Sequence, residues 1–185
     1  MSSKDSFEKL TVKLSDLNSQ SEIQSALIDS FSCPQGMDVE KFLKKNAVRF
    51  ENSHNSRTYL ILDKNNLKQL LAYFSVSFKE ISLPESLSRR EIQKIDGISR
   101  DATTARAFLI GQIAKNSFQG NPINLASIFE EVYSVLYRAQ DLVGGRILFL
   151  ECEDHPKLIN MYESNGFKVL QKKEMVEMYR IFNLV

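Results

Sequence analysis

Two rhythms of hydrophobic and polar positions alternate along this chain. Residues 7–14 follow the period of two that marks a strand. Over residues 20–31 the period lengthens to a helical one, with Ile23, Leu27 and Phe31 on one stripe, until Cys33-Pro34-Gln35-Gly36 breaks it. Asp38 then reads as the N-cap of a second helix reaching Phe50, with Val39, Phe42, Leu43 and Phe50 on its apolar side. A polar loop over 51–56 leads into two strand-like runs, 57–62 and 67–81, with Asp63-Lys64-Asn65-Asn66 as the hairpin turn between them. Residues 82–103, rich in charge and serine, predict a helical excursion plus loop.

The second half is more regular. Residues 104–115 are largely apolar, which predicts a central strand. Over 123–141, Leu125, Ile128, Phe129, Val132, Val135, Leu136 and Ala139 repeat at helical spacing, and Gly144-Gly145 ends the helix. A strand over 146–152, a short helix over 156–165 stopping at Gly166, and closing strands over 167–172 and 174–181 complete the order. Strands interleaved with helices in this order predict one mixed α/β (α+β) domain over 1–185, built on a central sheet. No internal repeat interrupts it.

Composition narrows the partners. Hydrophobic residues at 43% and charged residues at 25% are enough for a buried core without staples. The formal net charge of +1 gives no global pull toward nucleic acid or acidic membrane, so any such affinity needs a local patch. Cys33 and Cys152 are the only cysteines and His54 and His155 the only histidines, too few for a disulfide framework or a usual zinc site; no metal is expected. No apolar run reaches transmembrane length and the start lacks a signal peptide's pattern, so the expectation is a cytoplasmic protein without a membrane partner.

Two stretches carry candidate chemistry. The first is the strand-to-helix junction Ile113-Ala114-Lys115-Asn116-Ser117-Phe118-Gln119-Gly120-Asn121-Pro122-Ile123-Asn124. A polar turn ahead of a strong helix places free backbone N–H groups at its positive end, which suits a phosphate or pyrophosphate. Asn121 as N-cap and Pro122 at the first helical position make an equally good helix start with no ligand. The second stretch is Asp154-His155-Pro156-Lys157-Leu158-Ile159-Asn160-Met161-Tyr162-Glu163-Ser164-Asn165-Gly166-Phe167.

Together these resemble the GNAT acetyltransferases over about residues 57–167. Gln119-Gly120 matches the start of that family's Gln/Arg-Gly-x-Gly-x-Gly/Ala loop, and Met161-Tyr162-Glu163-Ser164-Asn165-Gly166-Phe167 matches its Phe/Leu-Tyr-Glu-x-x-Gly-Phe signature. The chain departs from the pattern at Pro122 and Asn124, where the loop's later glycines stand in the family. The resemblance implies the GNAT acyl-CoA N-acyltransferase fold, a mostly antiparallel central sheet with a splayed parallel pair flanked by helices. It implies acetyl-CoA as co-substrate and direct attack of an amine on the thioester. Gln119, Gly120, Asn121, Ile123 and Asn124 would hold the coenzyme's pyrophosphate, Ile113 and Lys115 its acetyl-pantetheine through backbone groups, with Asn160 a further contact. Tyr162 would be the general acid that protonates the leaving thiolate. Glu151, Glu153, Asp154 and His155 offer a general base by water relay, although Asp154 serves equally as an N-cap and His155 as a surface residue.

A narrower resemblance links Phe31-x-Cys33, Asp38-x-x-x-Phe42-Leu43 and Ser56-Arg57-Thr58-Tyr59 to the GNAT branch that includes toxins acetylating aminoacyl-tRNA. It implies phosphate contacts from Lys41, Lys44, Lys45 and Arg49. The expected acceptor is a small-molecule or protein amine, with tRNA behind it and a non-catalytic binding module as a third reading. A homodimer fits the family's habit.

Overall fold

A computed structural model describes residues 8–182. The elements in chain order are β1 (Lys9–Lys13), α1 (Ser21–Asp29), α2 (Met37–Lys45), α3 (Ala47–Asn52), β2 (Arg57–Asp63), β3 (Asn66–Ser82), α4 (Arg89–Asp96), β4 (Thr104–Lys115), α5 (Leu125–Val143), β5 (Ile147–Cys152), α6 (Pro156–Glu163), β6 (Lys168–Lys172) and β7 (Val176–Ile181). They form a seven-stranded sheet in the order β1-β2-β3-β4-β5-β7-β6. β1–β2, β2–β3, β5–β7 and β6–β7 are antiparallel, while β4 and β5 run parallel, with Ala107 to Leu109 opposite Ile147 to Phe149. The mixed sheet with one parallel pair is the architecture expected from the sequence. Phe7, placed in the opening strand by its pattern, lies outside the described residues.

The chain divides into two compact units, residues 8–76 with 112–133 and residues 77–111 with 134–182; β3, β4 and α5 each run from one into the other. In the first unit, Leu60 and Leu62 of β2, Leu70 and Tyr73 of β3 and Ala114 of β4 pack with Leu14, Leu27, Ile28, Phe31, Leu43 and Ala47 into one core. Phe31 meets Tyr73 edge-on at 5.1 Å between ring centroids. Burying a large apolar side chain of this kind contributes about 1.5–3 kcal/mol.

Three local expectations change here. Ile23 is 49% exposed, and Gln24 takes the inward position, donating to the Leu14 carbonyl at 3.0 Å and to Asn18 Oδ1 at 3.2 Å. The inward face of α1 and the turn after it is therefore Gln24, Leu27, Ile28 and Phe31, a helical repeat that admits one satisfied polar side chain. Gly36, not Asp38, is the N-cap of α2. The entry is set by packing: a Cβ on Gly36 would stand 2.9 Å from Val39 Cγ2 and 3.3 Å from Cys33 Sγ, and Glu40 Oε2 accepts the Cys33 N–H at 2.6 Å. Finally, the helix expected to run to Phe50 is interrupted at Asn46 (φ −117°, ψ −31°), which separates α2 from α3.

Glu51, assigned to a polar loop by its sequence, is 2% exposed at the end of α3. Its carboxylate accepts the Thr58 N–H at 2.7 Å and a 3.2 Å bond from the Arg57 guanidinium, closing α3 onto β2.

In the second unit, Ile95 of α4 packs with Ile81, Leu83, Ala105, Ala107, Ile147, Phe149 and Leu170. The segment expected to hold a helical excursion contains α4, opened by a reciprocal Ser88–Glu91 capping box and closed by Gly97 at φ 97°. Among the described residues no helix is long and apolar enough to cross a membrane.

Candidate active site

The turn between β4 and α5 is fastened from within the first unit. Asn116, 4% exposed, donates its N–H to the Leu71 carbonyl at 2.8 Å. Its carboxamide donates to the carbonyls of Leu70 (2.8 Å) and Ser30 (3.3 Å) and accepts the Ser32 N–H (2.9 Å). Asn121, 9% exposed, donates through Nδ2 to Leu71 O at 2.9 Å and Asn116 O at 2.8 Å, and accepts the Ile123 N–H at 3.1 Å. Between these two anchors the chain makes a tight turn, closed by the Asn121 N–H on the Phe118 carbonyl at 3.3 Å, with Gly120 at φ 82°. No atom lies within 4 Å of where a Gly120 Cβ would stand, so glycine is required there by conformation, not by crowding. Lys115 Nζ donates to the Asn121 carbonyl at 3.0 Å.

Asn124, not Asn121, caps α5: its Oδ1 accepts the Ser127 N–H at 2.9 Å and its carbonyl the Ile128 N–H at 3.1 Å. Pro122 accordingly precedes the helix and is not its first residue. Among the described residues, the N–H groups of Gln119, Gly120, Asn124, Leu125 and Ala126 have no hydrogen-bond partner. These are the donors at the positive end of a 19-residue helix that an anion can reach. Of the residues singled out for the coenzyme, Gln119, Gly120 and Asn124 keep such donors. Asn121 and Ile123 use theirs inside the turn, and Ile123 is 1% exposed. Ile113 is half-buried near the end of β4.

In the second unit, α6 starts on His155, whose Nδ1 accepts the Lys157 N–H at 3.2 Å, with Pro156 as the first helical residue. His155 thus fills the capping place that one reading of the sequence gave to Asp154. The signature after it stops the helix: the Tyr162 carbonyl accepts the N–H groups of Asn165 (3.0 Å) and Phe167 (3.1 Å). Gly166 adopts φ 85°, and the Arg180 guanidinium lies 3.4 Å from where its Cβ would be. Arg180 in turn donates to the Asn165 carbonyl at 2.8 Å. The spacing from tyrosine to glycine is therefore the length of one helix stop.

Tyr162 is 8% exposed and its ring centroid is 6.2 Å from that of Phe167. Burial, reinforced by the nearby Cys152 thiol, pushes its phenol up to about 12, so the group holds its proton at neutral pH. Asn160 is exposed on α6. Of the carboxylates considered as bases, Glu151 is paired with Lys79 (2.7 Å) and Asp154 with Lys172 (2.8 Å); Glu153 is exposed without an ion pair among the described residues. No local pattern marks Asn116 or Glu51, because each acts through partners brought in by the fold.

No protein-family model matches this chain, and no curated protein matches it. Solved structures do. AtaT complexed with acetyl-methionyl-tRNAfMet aligns at TM-score 0.73 and 20% identity, covering 94% of this chain and 95% of that one. A KacT variant carrying a Tyr-to-Phe substitution aligns at TM-score 0.74 and 19% identity, with 94% and 95% covered. A Tyr-to-Phe variant of the AtaT toxin, bound to the C-terminus of the antitoxin AtaR and acetyl-CoA, aligns at TM-score 0.60 and 20% identity, with 83% and 84% covered. At these identities the likeness is one of architecture: this chain has the GNAT fold that AtaT and KacT share.

Proposed function

We propose that this protein is an acetyl-CoA-dependent N-acetyltransferase and that its acceptor is the amine of an aminoacyl-tRNA. The observation that carries the reading is the turn ahead of α5, where the free N–H groups of Gln119, Gly120, Asn124, Leu125 and Ala126 offer a phosphate cradle on a rigidly anchored loop. No atom within 4 Å of a Cβ built on Gly120 blocks approach to the turn from that side. Acetyl-CoA supplies the activated acetyl group. Tyr162 Oη holds a proton at neutral pH and is assigned to deliver it to the departing thiolate.

The sequence ranked a small-molecule or protein amine ahead of tRNA; the acetyl-methionyl-tRNAfMet bound to AtaT supports placing tRNA first in this reading. Support from this chain comes from α2 and α3. Lys44 is paired with Glu40, but Lys41 and Lys45 are exposed without an ion pair among the described residues, and Arg49 lies over the Phe50 ring at 5.5 Å. Those three cations are the candidates for the local patch that the near-neutral net charge requires. As for AtaT with AtaR, a neutralising partner protein is part of this reading.

The test is transfer of labelled acetyl from acetyl-CoA to aminoacylated tRNA, run beside free amino acids, polyamines and peptides. Label on the aminoacyl end of tRNA is expected; label confined to the small amines or peptides returns the acceptor to those classes. A second reading, a non-catalytic binding module, rests on Pro122, which has no N–H, and on the internal use of the Ile123 N–H. No acetyl-CoA binding at millimolar concentration in calorimetry would decide for it.

A further inference from the structure

We propose that Arg57 and His54, at the turn from α3 into β2, bind a backbone phosphate of the acceptor RNA, with Glu51 as their positioning residue. The choice of RNA rests on the aminoacyl-tRNA reading; the fixed cation is a property of the fold. Three acceptors hold the Arg57 guanidinium. Nη1 donates to the Glu51 carbonyl at 3.0 Å and to Glu51 Oε1 at 3.2 Å, and Nη2 donates to His54 Nδ1 at 2.9 Å. Glu51 is itself locked, 2% exposed, with its other carboxylate oxygen on the Thr58 N–H. The Arg57 side chain is 40% exposed, and its Nε hydrogen and second Nη2 hydrogen have no partner among the described residues. A guanidinium fixed in place with neighbouring donors to spare is suited to grip an oxyanion at two points.

His54 supplies a further donor. A guanidinium can only donate, so Nδ1 is the unprotonated nitrogen and the ring proton sits on Nε2, across the ring from Arg57. The residue is exposed. Among the described residues it is also the one non-glycine with a left-handed backbone, at φ 60°. A side chain there carries a conformational cost that glycine avoids, and such strain accompanies sites of function.

This place is distinct from the coenzyme turn. Arg57 is opposite Val76 of β3, whereas Asn116 and Asn121 fasten that turn to Leu71 of the same strand. Five residues of strand separate the two points, about 16 Å. Glu51 offsets the charge of Arg57, but Arg49 on the same short helix has no carboxylate partner among the described residues, so the α3–β2 segment keeps a positive excess. Contacts of this kind fix the register of a nucleic acid without reading its sequence.

Fluorescence anisotropy with deacylated bulk tRNA, on the full chain and across about 50–200 mM salt, tests the assignment. Arg57→Gln should lower the slope of log affinity against log salt by about 0.7–0.9, the loss of one phosphate contact. Arg57→Lys should keep the slope and lose about tenfold in affinity, because it keeps the charge without the fork. His54→Gly should weaken tRNA binding about threefold or more while its melting temperature holds or rises, since glycine relieves the left-handed backbone. A purely structural histidine would lose both together. Circular dichroism melts check folding, and if Arg57→Gln unfolds, the two readouts of His54→Gly decide. A wild type without affinity for tRNA overturns this site and the aminoacyl-tRNA reading alike. Wild-type binding with the slope unchanged in Arg57→Gln and the affinity unchanged in His54→Gly overturns the site alone. Loss of acetyl-CoA affinity in Arg57→Gln with tRNA binding intact also overturns it, and gives the phosphate to the coenzyme.

Discussion

Asn121 Nδ2 donates a 2.9 Å hydrogen bond to the carbonyl of Leu71, fastening the turn before α5 to the interior of β3. Both groups are buried, so the contact is one whose loss is felt. Asn121→Ala leaves the Leu71 and Asn116 carbonyls without this donor and is expected to cost about 1–3 kcal/mol of stability. Denaturant unfolding measures it. Acetyl-CoA affinity should fall as well, since the loop loses its anchor; an unchanged affinity would separate the turn from coenzyme binding.

Gly120 occupies the left-handed region in open space. Gly120→Ala therefore meets no steric obstacle and should cost only about 1–2 kcal/mol from backbone conformation. Gly120→Val, β-branched, should cost more. Comparison of the two by thermal melts separates conformational strain from crowding, because crowding would make even alanine severe.

Tyr162→Phe keeps the ring and removes the proton. Turnover should fall by about 10²–10⁴-fold with coenzyme affinity nearly unchanged. Because burial raises the phenol to about 12, no falling limb assignable to Tyr162 is expected in the kcat profile between about pH 6 and 9. A wild-type limb in that window which Tyr162→Phe abolishes would contradict the assigned environment.

Glu51→Ala removes a carboxylate that is 2% exposed and leaves the Thr58 N–H buried without its acceptor. A loss of about 2–3 kcal/mol is expected, with Glu51→Gln milder because its amide oxygen still accepts. Urea unfolding of the pair checks the order.

Glu40 has its carboxyl held below the usual range, first by the Cys33 N–H and then by the Lys44 ammonium. With a folded value below the unfolded one, its contribution is complete above the ordinary carboxylate range and disappears as pH falls through the lowered value. Melting temperatures of wild type and Glu40→Gln should therefore converge as pH drops below about 4.5, the usual carboxylate value. A gap that persists to pH 2 would mean that packing, not charge, carries the contact.

These residues also show what the amino-acid order discloses. β4 is found at the predicted bounds, residues 104–115, and Asp63 pairs with Asn66 across the expected hairpin. Both depend on local alternation and turn chemistry. The core stripe of α5 and its Gly144-Gly145 stop were equally plain. Capping was misread where a better-placed residue one to three positions away took the role: Gly36 for Asp38, Asn124 for the alternative at Asn121, His155 for the alternative at Asp154. The candidate site divides in the same way. Its motif was visible at Tyr162 and at Gly120, but the anchors Asn116 and Asn121 act on Leu70 and Leu71, 46 and 50 positions away. No window along the chain exposes such a link.

The carboxamide of Asn116 joins stretches 46, 84 and 86 positions apart. The loop that follows it is consequently a product of cooperative assembly, and a short peptide spanning residues 113–124 has no reason to adopt its shape. A ligand that selects this loop reports on the integrity of the whole first unit. Substitutions in α1 or α2, remote from the loop, should weaken such a ligand once they populate partly opened chains, by the fraction of molecules they withdraw. Affinity there is a gauge of folding cooperativity as much as of local chemistry.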